Sequence, residues 1–238
     1  MSVYLYSGTP GSYKSFHATQ QVLNALKNGK NVICNYAVDY SQFFTVKERK
    51  RLGKFFLVDN NTLTVDYLLK FAFLNHQKKK IKPDEVLTLV VIDEASIMFN
   101  SRQFQKADRL TWVNFFANHR HYNYDIILIA QHDRMIDRQI RCLIEYDVKH
   151  RALKHWNFGF ALLSAVFGGL YHCVEYWYPC NLKTDTKLCK FNRHVAECYN
   201  TMAFFDFFGA GKKKKKDKAV FISKSKLISI LEKYKVEE

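Results

Sequence analysis

Val3-Tyr4-Leu5-Tyr6 runs into Gly8-Thr9-Pro10-Gly11-Ser12-Tyr13-Lys14-Ser15, and Phe16-His17-Ala18 follows. An apolar strand that feeds a glycine-rich turn and then a helix is the local plan of a phosphate-binding loop. Backbone N–H groups of the turn and of the first helical turn surround an anionic chain. In that reading residues Gly8, Thr9, Pro10, Gly11, Ser12, Tyr13, Lys14 and Ser15 form the nucleotide-binding loop. Lys14 neutralises the β and γ phosphates, and the Ser15 hydroxyl holds a magnesium ion. One position departs from the pattern: the residue before the lysine, ordinarily glycine, is Tyr13, whose side chain has to fit a crowded turn.

Outward from the loop, Ala18, Val22, Ala25 and Leu26 recur at helical spacing until Asn28-Gly29 stops the pattern. Asn31 to Tyr36 is short and β-branched, which completes a βαβ unit. Residues Ala37 to Gly53 are polar and basic, read as a solvated connection or short helix. Phe55 to Val58 is a further short strand. Thr64 to Asn75 carries a helical apolar stripe that core packing explains. A basic linker from His76 to Lys82 ends at Pro83.

Val86 to Ile92 is an unbroken apolar run, the mark of a central parallel strand covered on both faces. It ends in Asp93-Glu94. Carboxylates at the C-terminal end of such a strand stand where doubly wound sheets bind ligands. Asp93 is therefore read as a magnesium ligand with Ser15, and Glu94 as the base that takes a proton from the attacking water. Asp108 to His119 is a helix with Leu110, Val113, Phe115 and Phe116 inward and Trp112 at its edge. Asp125 to Ala130 is another buried strand with Gln131 at its end, either a turn residue or a sensor of the γ-phosphate through the attacking water. Arg120 is either a surface arginine or a charge supplied across a subunit boundary, and Arg134, Arg138 and Arg141 compete for that role.

Composition sets the outer bounds. The chain has 238 residues, 48% of them hydrophobic and 25% charged, enough for one large domain or for a domain of about 200 residues with an appendage. Lys and Arg number 37 against 22 acids, a formal charge of +15, which attracts nucleic acid or an anionic membrane face. Residues 211–238 hold ten lysines and four acids, so the tail is a separate electrostatic object. Met1-Ser2-Val3 leads straight into the first strand with no secretion signal, and the expected location is the cytoplasm.

The loop, Val91-Ile92-Asp93-Glu94-Ala95, Arg120-His121 before Asp125 to Leu128, Gln131 and Tyr199-Asn200-Thr201 together resemble the zonular occludens toxin domain, over residues 1 to about 206. The resemblance implies an assembly and export ATPase of filamentous phages, related to ring-shaped DNA-pumping ATPases. It implies ATP and magnesium as cofactors, a homo-oligomeric ring, and phage single-stranded DNA or virion proteins as cargo. A membrane-anchored assembly partner at the inner face of the host membrane is implied too. Tyr13 for glycine, Asn200 where an aspartate is common, and the lack of a clear spanning helix depart from the family pattern.

Asn157 to Val174 is the one candidate span, and it is short, with Gly159, Gly168 and Gly169 inside it. The expected structure is an amphipathic helix, Phe158 to Phe167, then a strand from Tyr171 to Tyr178, with contact to an anionic membrane surface open. Six cysteines, 34, 142, 173, 180, 189 and 198, form no Cys-x-x-Cys pair. The last four, with His172 and His194 nearby, are read as reduced thiols before zinc ligands or disulfides.

The expected fold is α/β: a P-loop NTPase three-layer sandwich with a mainly parallel sheet and a small β-containing C-terminal extension, about 151–206. A lysine-rich linker, 207–218, and a docking segment, 219–238, follow. The function expected is a motor ATPase. A nucleotide-binding scaffold with little turnover, or a plasmid or conjugative DNA pump, are the alternatives.

Overall fold

The computed structural model describes residues 1–41, 43–76, 85–102, 108–153 and 169–199. Within them the strands are β1 (Val3–Ser7), β2 (Asn31–Cys34), β3 (Phe55–Leu57), β4 (Thr88–Ile92), β5 (Tyr124–Ile129), β6 (Tyr146–Ala152), β7 (Leu170–Trp177) and β8 (Leu182–Lys190). The helices are α1 (Lys14–Lys27), α2 (Val46–Arg49), α3 (Val65–His76), α4 (Ala95–Met98), α5 (Arg109–Asn118), α6 (Arg138–Arg141) and α7 (Arg193–Cys198). The expected helix Phe158 to Phe167, Asn200, Thr201, the linker 207–218 and the docking segment 219–238 lie outside the described residues.

All eight strands join one sheet in the order β3-β2-β4-β5-β1-β6-β7-β8. Pairing is parallel from β3 through β6, and β7 and β8 close that edge in antiparallel fashion. Alternation along the strands divides the core in two. Val90 and Ile92 of β4 and Ile126 and Leu128 of β5 face one cluster with α3 and α5. Leu89, Val91, Ile127 and Ile129 face the other, with Val22, Leu23 and Leu26 of α1 and Val195 of α7. A central strand buried on both sides has no polar face, which is why β4 reads as a continuous apolar run. The result is an α/β three-layer sandwich.

Two local outcomes differ from the sequence reading. Helix α5 buries Phe115 and Phe116 as expected, but it also buries Trp112 (5% exposed), expected at the edge, and leaves Leu110, expected in the stripe, 66% exposed. The reason is a partner supplied by another element: Phe99, just past α4, meets Trp112 edge-on at 5.0 Å between centroids and Phe116 at 5.5 Å. His76 is the buried end of α3, not the start of a linker. Its ring bridges the Thr88 hydroxyl at 2.7 Å and the Tyr122 carbonyl at 2.8 Å, tying α3 to β4.

Among the described residues no helix is long and apolar enough to cross a membrane. Of the candidate span, Gly169 to Val174 is described, and Leu170 to Val174 lies in β7.

Candidate functional site

Because β1, β4 and β5 are parallel, their C-terminal ends share one edge of the sheet. The loop Gly8 to Tyr13 leaves β1 there, Asp93 and Glu94 leave β4, and Gln131 follows β5. The Gly8 N–H donates to the Gln131 carbonyl at 3.2 Å, which seats the loop on the end of β5. On the other flank, a Cβ on Gly8 would stand 2.5 Å from the His150 carbonyl oxygen of β6. Only glycine permits that approach, at a φ of +144°.

Helix α1 starts with no side-chain cap and no acidic residue in its first turn. Its first N–H groups have no intrahelical acceptors, and the helix dipole adds partial positive charge at the same point. The Ser12 hydroxyl beside them is buried without a partner. This is a cradle for an anion. Lys14 Nζ folds back over it, donating to the carbonyls of Gly8 at 2.8 Å and Thr9 at 3.0 Å. Burial lowers the Lys14 pKa, and the charges of Asp93 and Glu94 act against that shift.

The Ser15 hydroxyl donates to Asp93 Oδ2 at 2.9 Å, joining residues 78 positions apart. A hydroxyl and a carboxylate oxygen are hard donors of the kind that hold magnesium beside a phosphate chain. Asn35, at the end of β2, locks Asp93 in place: its Oδ1 accepts the Asp93 N–H at 2.7 Å, and its Nδ2 donates to the Asp93 carbonyl at 2.8 Å. Tyr199 approaches from α7, its hydroxyl 3.5 Å from Asp93 Oδ2. Asn35 went unnoticed in the sequence because an asparagine ending a strand reads as a turn residue.

Glu94 sits at φ 49°, ψ 46°, a left-handed conformation unusual for glutamate, and donates its N–H to Asp93 Oδ1 at 2.8 Å. Burial and then the charge of Asp93 raise its carboxyl above the ordinary glutamate range, while Lys14 opposes the shift. Tyr13 is also left-handed, at φ 72°, where glycine is the strain-free choice. Its ring stacks on Tyr171 at 5.2 Å and leans on Phe191 at 5.7 Å, so the C-terminal hairpin holds it in place.

Arg120 is not brought to this edge. It precedes β5, at the opposite end of the sheet, and pairs with Glu145 at 2.6 Å. Arg134 lies three residues past Gln131, whereas Arg138 and Arg141 are in α6, on the segment that returns to the start of β6 at the opposite edge.

The family model described as zonular occludens toxin (Zot) matches residues 2–159. The gene 1 protein of Enterobacteria phage I2-2 is 27% identical over 173 residues, covering 71% of this chain and 46% of that protein. The chain thus spans about half the length of this curated relative. Among solved structures, the N-terminal domain of zonular occludens toxin from Neisseria meningitidis superposes with a TM-score of 0.51 at 17% identity, over 84% of this chain and 98% of that one. The DNA-packaging ATPase B204 from Sulfolobus turreted icosahedral virus gives a TM-score of 0.50 at 15% identity, over 79% and 97%. At such identities the structural likenesses speak for the P-loop NTPase fold.

Proposed function

This chain belongs to the zonular occludens toxin family, and we propose that it binds and hydrolyses ATP as an oligomeric motor in the assembly and export of a filamentous phage. The observation that carries the reading is the contact between Ser15 Oγ and Asp93 Oδ2 at 2.9 Å, which sets the glycine-rich loop against the carboxylates of β4. The likeness to a phage gene 1 protein and to the viral DNA-packaging ATPase B204 supports the same direction.

In this mechanism the N–H groups of the loop and of α1 hold the phosphates, and Lys14 swings from the Gly8 and Thr9 carbonyls to neutralise them. Ser15 and Asp93 would hold magnesium, which when bound would withdraw charge from the phosphate oxygens. Glu94, its carboxyl raised above the ordinary glutamate range by burial and Asp93, takes the proton of the attacking water. The Gln131 side chain, from the end of β5 between β4 and β1, orients that water. A cationic side chain from a neighbouring subunit completes the site. Arg120 fills that role if subunits stack edge to edge, and Arg134, Arg138 or Arg141 if they meet side by side.

The test is magnesium-dependent ATP hydrolysis by the full chain. Lys14→Ala is expected to reduce turnover by about 10²–10³ and Glu94→Gln by about 10²–10⁴, with Glu94→Gln retaining nucleotide. Hydrolysis that survives both substitutions overturns the site. Tyr13 in a glycine conformation favours a second reading, a nucleotide-dependent assembly scaffold. Tight ATP binding with negligible wild-type turnover would select it.

A further inference from the structure

Three side chains that the phosphate site does not use converge on the α1 face of the sheet. His17 lies within the first turn of α1, His150 on β6 and Cys173 on β7. The antiparallel ladder pairs His150 directly with Cys173, so both side chains leave the sheet on the same face, and α1 lays His17 over them. His17 Nδ1 is 2.8 Å from His150 Nε2 and 3.8 Å from Cys173 Sγ, and the three donor atoms all lie within 4.8 Å of one another.

We propose that His17, His150 and Cys173 bind a zinc-class divalent ion through two imidazole nitrogens and one thiolate. The fourth position opens on the adjoining cavity. That cavity, about 360 Å³, is lined by His17 and Cys173 and reaches the surface at Asn24, Asn28 and Lys187.

Borderline and soft donors of this kind select zinc and its neighbours over magnesium, so the site is chemically separate from the Ser15–Asp93 pair. In a tetrahedral zinc site the nitrogens stand about 3.3 Å apart and nitrogen to sulfur about 3.6 Å, from bond lengths of about 2.0 and 2.3 Å. The observed separations bracket those values, and small side-chain rotations supply the difference.

The outer nitrogens have surroundings suited to ligation. His17 Nε2 lies 3.2 Å from Gln21 Nε2; with the amide turned so that its oxygen faces the ring, Gln21 accepts the Nε2–H and orients the ring for ligation through Nδ1. His150 is 1% exposed, and its Nδ1 has no hydrogen-bond partner of good geometry. The Val148 and Ser7 carbonyls favour a proton on that ring, which on Nδ1 leaves the Nε2 lone pair facing the cluster.

Burial pushes His17 down to about 4 and His150 down to about 3, so both are neutral ligands in neutral solution. A hydrogen bond with Cys189, then burial, hold the Cys173 thiol protonated. A divalent ion in contact reverses that preference, and the thiol proton passes to solvent as the metal–sulfur bond forms. Lys187 opposes a cation here, but it is paired with Asp185 at 2.6 Å, and Glu175 also lines the cavity. The bound ion would tie the start of α1 to β6 and β7, next to the His150 carbonyl against which Gly8 packs.

The experiment uses the full chain without a polyhistidine tag, loaded with zinc, desalted and assayed by mass spectrometry of the metal. About one zinc per chain is expected, and cobalt in its place should show a thiolate-to-cobalt charge-transfer band. Cys173→Ser should abolish that band and weaken zinc binding by more than about tenfold, while Cys189→Ser and Cys198→Ser keep both. Because a change at a buried ligand can unfold the chain, X-ray absorption at the zinc edge of the wild type is the second measurement. One sulfur and two imidazole nitrogens support the site. A folded wild-type chain that retains no zinc, a shell of several sulfurs or of oxygens alone, or binding indifferent to Cys173→Ser in a folded variant overturns it.

Discussion

Tyr13 and Glu94 are both held at positive φ, 72° and 49°, on either side of the phosphate cradle. For Tyr13 the strain of about 1–2 kcal/mol is outweighed by ring burial and stacking on Tyr171 and Phe191. Tyr13→Phe is therefore expected to unfold in urea with the wild-type midpoint, and Tyr13→Gly to lose about 1–2 kcal/mol. Glu94 acts as a base only when ionised. Its carboxyl is raised above 4.5 by burial and Asp93 and held back by Lys14, so catalysis should fail as pH drops through a value above 4.5. Removing the opposing charge with Lys14→Ala should raise the Glu94 titration further, which carboxyl NMR can follow without turnover. A titration that stays put would deny Lys14 and Glu94 their electrostatic contact.

At the scale of elements, the inner face of α5 is decided by Phe99 and not by the periodicity of α5 alone. Trp112→Ala should cost about 3–5 kcal/mol in chemical denaturation, whereas Leu110→Ala, at 66% exposure, should stay within about 0.5 kcal/mol. Asn35 gives β2 a similar role toward the site. Asn35→Ala leaves both backbone groups of Asp93 without their partner, and a loss of about 1–3 kcal/mol is expected, with nucleotide affinity falling alongside. The β7–β8 hairpin shows the limits of pattern: Tyr171, Cys173 and Val174 signal a strand, but β8 is an edge strand exposed along most of its length, so its sequence lacks an apolar face.

For the molecule as a whole, a formal charge of +15 predicts that single-stranded DNA binds through phosphate contacts. Log affinity should fall with log salt at about 0.7 per contact on single strands. Replacing Lys212 to Lys216 with alanine should flatten that slope if the tail supplies contacts. Affinity that ignores salt would assign binding to another surface.

What the chain alone determined is whatever rests on neighbours in sequence: the strand–loop–helix at residues 3–27, the doubly buried β4 with its terminal carboxylates, and hence the α/β class. Parallel order then carried Asp93 to Ser15, because strands of one direction end at one edge. Only the folded structure decided that Arg120 stands at the far edge, that Asn35 fixes Asp93, and that His17, His150 and Cys173 meet. These are contacts between elements distant in sequence, set by strand order and ladder register, and no local periodicity encodes which residue will face which across a sheet.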